Sequence, residues 1–138
     1  EHMYGLKDDK GKFIYWLIDQ LKRNVQEINL TSGIQKRDFI YISDVVEACE
    51  SIILNLNSLS NNEEFEVGTG SSIHVKEFVE IIYKKMSEKQ AIKTILNFGA
   101  VKYRVNEPMN IVANISKLET LGWNPKVSIE EGVNKMIG

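Results

Sequence analysis

Apolar residues recur at helical spacing along much of the chain. Phe13, Ile14, Leu17, Ile18 and Leu21 predict an amphipathic helix over about residues 11–23, entered from the Asp8, Asp9 and Gly11 loop. Val45, Val46, Cys49, Ile52, Ile53 and Leu56 mark a second helix, with Ser43 and Asp44 as its entry residues and Glu47 three positions after Asp44. Val75, Phe78, Val79, Ile82 and Met86 mark a third, with His74 at its entry. A short helix opens at Asn114 and Ser116 and ends at Gly122. Ser128 and Glu131 form a capping-box pattern ahead of a final helix over 129–137. Between the helices lie β-prone runs at 26–30, 38–42, 65–67 and 92–98. The first two flank a polar turn, and 55–62 reads as a loop.

Strands alternating with helices define an α/β chain. The short 65–67 run is expected to join a parallel sheet whose other strands lie outside the chain. At 138 residues the chain suits one domain. Its net charge of −2 provides no basic field to hold nucleic acid or an anionic membrane. No apolar run approaches the ~18 residues of a membrane span, so a cytoplasmic location is the expectation. The one cysteine, Cys49, cannot form an internal disulfide, and its apolar neighbours predict a buried, inert side chain.

Two arginines stand out. Arg37 follows the polar turn and precedes an apolar strand, and Arg104 lies in a loop bounded by Pro108. A guanidinium offers phosphate a planar fork of N–H donors and keeps its charge at any working pH. The plainer alternative for Arg37 is a solvated ion pair with its neighbour Asp38. Gly68-Thr69-Gly70 lacks the Lys-Ser/Thr of a P-loop and the third glycine of a dinucleotide fingerprint, so a structural turn is the better reading. His2 and His74 have no nearby Cys or His, which leaves metal binding without support. His74 reads as a helix-entry residue. Trp123 reads as an anchor for the C-terminal segment, with Pro125 fixing the exit, and Phe13, Tyr15 and Trp16 read as core or interface. Tyr103 either stacks on a base or packs in the core.

The segments Arg37-Asp38-Phe39-Ile40-Tyr41-Ile42-Ser43-Asp44-Val45, Val67-Gly68-Thr69-Gly70 and Leu121-Gly122-Trp123-Asn124-Pro125 occur in an order and spacing that resembles the C-terminal half of the extended short-chain dehydrogenase/reductases, the NAD-dependent nucleotide-sugar epimerases and dehydratases. The resemblance covers nearly the whole chain. It implies that Arg37, and Arg104 in its Arg-x-x-Glu-x-Pro segment, contact the diphosphate of a nucleoside-diphosphate sugar. It places His2, where the family has Asn, near the sugar or nucleotide, and Gln35 with Thr31 and Ser32 at the nucleotide end of the pocket. Glu66 replaces the usual Asn before the Gly-Thr-Gly turn, and Asp38 and Asp44 carry structural rather than catalytic roles. The family's Gly-rich cofactor loop and Tyr-x-x-x-Lys pair have no match here. The resemblance therefore implies a single substrate-binding domain over 1–138 of a larger NAD- or NADP-dependent enzyme, of the branch that makes deoxysugars for bacterial surface polysaccharides. The piece alone is expected to be inactive, to bind no cofactor, and to self-associate as a homodimer through the faces it leaves bare. The alternative is a stand-alone sugar-nucleotide binding or interaction module without catalysis.

Overall fold

The computed structural model describes residues 2–138. Three two-stranded ladders organise the chain. Strand β1 (His2–Tyr4) runs parallel to β4 (Phe39–Tyr41), β2 (Glu27–Leu30) runs parallel to β6 (Ile95–Phe98), and the short β3 (Lys36–Arg37) and β5 (Ile73–His74) pair antiparallel. The neighbouring runs at 26–30 and 38–42 are both strands, but they do not pair with each other. Each takes a parallel partner, which requires a crossover rather than a hairpin.

The helices α1 (Phe13–Lys22), α2 (Ile42–Leu54), α3 (Val75–Ser87), α4 (Ser116–Thr120) and α5 (Ile129–Ile137) fall where the apolar spacing puts them. Helix α1 turns Ile14, Leu17, Ile18 and Leu21 inward. Asn24, in a left-handed conformation just after α1, accepts from the Lys93 N–H (2.7 Å) and donates to the Ala91 carbonyl (3.1 Å), and so sets the approach of β6 to β2. Gly122, at φ +82°, ends α4. The capping box of α5 is complete: the Ser128 hydroxyl accepts from the Glu131 N–H, and the Glu131 carboxylate accepts from the Ser128 N–H.

The main core is built on aromatic rings. Tyr4 sits edge-on to both Tyr41 and Phe78, with ring centroids 5.5 Å apart in each pair, and Phe78 stacks on Phe39 at 3.8 Å. Helix α5 closes over Tyr4 at Gly132, where an added Cβ would collide with the tyrosine hydroxyl. A second cluster gathers Ile40, Ala48, Leu118 and Trp123, and the Trp123 indole donates to the Asp44 carbonyl at 3.1 Å. This is the anchoring role expected of Trp123.

Three local expectations need correction. The 65–67 run is extended but joins no ladder among the described residues. Phe65 and Val67 instead pack on the Trp123 cluster, and Glu66 accepts from the Asn114 N–H at 2.9 Å. Asp44 lies in the first turn of α2 but does not cap it. Its buried carboxylate accepts from the N–H groups of Lys126 and Val127, at 3.0 and 2.9 Å, and ties the C-terminal segment to α2. His74 stands at the entry of α3 as expected, in the N-cap position, though it makes no capping bond and its Nδ1 instead meets the Ile34 carbonyl at 2.7 Å. Cys49 is exposed, because α2 buries Asp44 and Ala48 and turns its other side, with Val46, Ile53 and Leu54, outward.

Candidate functional site

The strand β3 carries Arg37 inward, so that the residue is only 4 % exposed. Its Nη1 donates to the Lys36 carbonyl at 2.8 Å, and its Nη2 forms a short ion pair with Glu107. The anion beside Arg37 is therefore Glu107 and not the adjacent Asp38. A buried guanidinium left without such a partner is strongly destabilising, so Glu107 both balances the charge and fixes the direction of Arg37.

Glu107 and Arg104 belong to one tight turn, closed by a bond from the Glu107 N–H to the Arg104 carbonyl at 3.2 Å and bent at Asn106, whose φ is +63°. The turn sends Glu107 inward to Arg37 and leaves Arg104 exposed at the rim. Among the described residues, neither Arg104 nor the nearby Lys102 forms an ion pair.

Tyr103 ties this segment to the loop before β3. Its hydroxyl donates to Gln35 Oε1 (2.7 Å), accepts from the Ile34 N–H (3.0 Å) and shares a 2.7 Å hydrogen bond with the Ser32 hydroxyl. Burial pushes the phenol up, but the bonds with Ser32 and Ile34 outweigh it and leave the group below the ordinary tyrosine value. Gln35 is buried, with its side-chain oxygen committed to Tyr103.

These groups open on one cavity of about 500 Å³. His2, Gln35, Arg37, Tyr103 and Arg104, the candidate residues of the sequence reading, all line it. Its size lies in the range of small-molecule sites. His2 enters from β1, its ring edge-on to Phe39 at 5.6 Å. Phe13 and Trp16 are not core residues: they stand partly exposed on the cavity wall. Sequence reasoning missed their place there, and it missed Glu107 as the partner of Arg37. The Arg-x-x-Glu spacing was the available signal for the second.

The Gly68-Thr69-Gly70 turn lies apart from this site. The buried Asp38 carboxylate accepts from the N–H groups of Thr69 (2.8 Å), Gly70 (3.0 Å) and Ala113 (3.2 Å), and from the Thr69 hydroxyl (2.6 Å). Backbone N–H groups of the kind that attract phosphate are thus bound to the protein's own anion. Among the described residues no cluster of His, Cys, Asp and Glu could hold a metal ion, and no helix is long and apolar enough to cross a membrane.

Parallel strands joined by helical crossovers, with a cavity lined by Arg37, Arg104, Lys102 and Glu107 beside them, define an α/β unit. The chain belongs to the GDP-mannose 4,6 dehydratase family, whose model matches residues 9–136. CDP-abequose synthase of Salmonella muenchen is 45% identical over 137 residues, which are 99% of this chain and 45% of that protein. The chain thus spans less than half the length of that relative. Pal from Bacillus thuringiensis shares the fold with a TM-score of 0.80 at 24% identity, over 99% of this chain and 42% of that one. MoeE5 in complex with UDP-glucuronic acid and NAD matches with a TM-score of 0.75 at 24% identity, over 99% of this chain and 43% of that one.

Proposed function

We propose that residues 1–138 form the nucleotide-sugar-binding unit of an NAD(P)-dependent enzyme that modifies the sugar of a nucleoside-diphosphate sugar, in the synthesis of bacterial surface deoxysugars. Arg104 and Arg37 cradle the diphosphate, Gln35 and Tyr103 hold the wall beside it, and His2 faces the sugar or nucleotide. The observation that carries this reading is the convergence of two guanidinium groups from distant segments on one cavity. The 45% identity to a CDP-abequose synthase favours cytidine as the base, and MoeE5, in complex with UDP-glucuronic acid, supports the ligand class.

Bound NAD(P) would supply hydride transfer. The residues here do not fit that cofactor, because the Gly68-Thr69-Gly70 donors are engaged by Asp38, and no cofactor step is assigned to them. What these residues contribute is restraint: holding the diphosphate fixes the reacting sugar in place. The exposed Val46, Ile53 and Leu54 of α2 support self-association, which light scattering tests. A cytoplasmic location belongs to the same proposal.

Titration of the chain with CDP in a calorimeter tests the reading. Millimolar or tighter binding is expected, with a loss of tenfold or more in Arg104→Ala, which removes an exposed side chain and should fold normally. Absence of CDP binding by the unmodified chain would overturn it.

A further inference from the structure

We infer that Phe13 and Trp16 form the platform on which the nucleobase of that ligand stacks, an inference that rests on the diphosphate reading above. The two residues stand three apart on α1 and so share one helix face. Their ring centroids are 6.1 Å apart and tilted by 32°, so neither ring covers the other. They are 37 % and 38 % exposed, while Ile14, Leu17 and Ile18 of the same helix are buried. Both rings line the cavity that holds Arg37 and Arg104.

A nucleoside diphosphate carries an anion and a flat heterocycle, and the cavity offers a matching division. Arg104 and Lys102 supply its excess positive charge beside the Arg37–Glu107 pair, and the pair on α1 supplies open aromatic area. Aromatic faces left in water forgo apolar burial that a stacked base would restore. Tyr103 is a poorer candidate, because its hydroxyl is tied to Ser32, Ile34 and Gln35. Asn29, which also lines the cavity, accepts from Asn97 at 3.1 Å through its side-chain oxygen, which leaves its amide N–H groups as donors for a base carbonyl.

The test is calorimetric titration of the chain and of its Phe13→Ala, Trp16→Ala and Trp16→Phe variants with CDP and, separately, with inorganic pyrophosphate. Each alanine variant should weaken CDP binding roughly 5- to 100-fold, the range reported for loss of a base–aromatic stack, and leave pyrophosphate binding unchanged. Trp16→Phe should recover most of the CDP affinity. Unchanged CDP binding in both alanine variants, with loss in Arg104→Ala, would sink the platform while sparing the diphosphate site. Parallel loss of CDP and pyrophosphate binding in the alanine variants would mean that the rings merely support the cavity, and would overturn the inference as well. Failure of the unmodified chain to bind CDP would remove both readings together.

Discussion

The Asp38 carboxylate accepts both the backbone N–H and the hydroxyl of Thr69, at 2.8 and 2.6 Å, and so locks the loop before α3 onto the segment that enters β4. Further donors from Gly70 and Ala113 complete its shell. Asp38→Asn would turn an amide N–H₂ toward groups that themselves donate. The expected cost is about 2–4 kcal/mol, read as a lower urea midpoint at unchanged m-value. A variant as stable as the parent would show that the carboxylate is dispensable.

Glu107 is expected to matter for folding as well as for binding. Removing it in Glu107→Ala leaves the buried Arg37 charge without its anion, at a cost of about 2–3 kcal/mol, less than for a fully enclosed pair because Glu107 is partly exposed. Thermal unfolding of the variant checks this. An unchanged Tm would mean that water or another group neutralises Arg37.

Gly132 is required by Tyr4 rather than by its own helix. Gly132→Ala gains helix propensity, yet its Cβ meets the Tyr4 hydroxyl and ring. A net destabilisation of about 1–3 kcal/mol is expected. Tyr4→Phe removes the nearest of the obstructing atoms and gives up only a long 3.4 Å bond to the Ile129 carbonyl. The double variant should therefore be more stable than Gly132→Ala alone, and additive losses would refute the steric account.

The acid limb of stability should carry the α5 cap. Bonds from the Ser128 N–H and hydroxyl hold the Glu131 carboxyl below its ordinary 4.5. A carboxyl depressed on folding stabilises the protein above its unfolded value, and that contribution disappears as pH falls through the folded value. Stability should thus decline below about pH 4.5 more steeply in the parent than in Glu131→Gln. Matching acid limbs would remove the cap from the account.

Cys49 should react with a thiol reagent in the native protein without denaturant, since its helix face is open. Reaction only after unfolding would place a covering surface over α2, as self-association there would do.

The helices were legible in the sequence because a 3.6-residue period is a local signal: Ile14, Leu17 and Leu21 declare α1, and Ser128 with Glu131 declares α5. Strand pairing was not, because β2 finds β6 and β1 finds β4 across long stretches that no local pattern spans. Cys49 misled for a related reason. Apolar neighbours show that α2 is apolar on several sides, not which side is covered. At the site, the arginines were found through motif resemblance, whereas the inward turn of Glu107 and the cavity-facing rings of Phe13 and Trp16 depend on how loop and helix meet.

The covering of Tyr4 by helix α5 has a consequence for biosynthesis. As the polypeptide emerges from the ribosome, the ring of Tyr4 must wait until residues 129–137 have been translated before its pocket can close. During that interval an incomplete, sticky intermediate is present, so holding chaperones, or pauses in the message between the codons for Tyr4 and those for residues 129–137, should influence the yield of native protein.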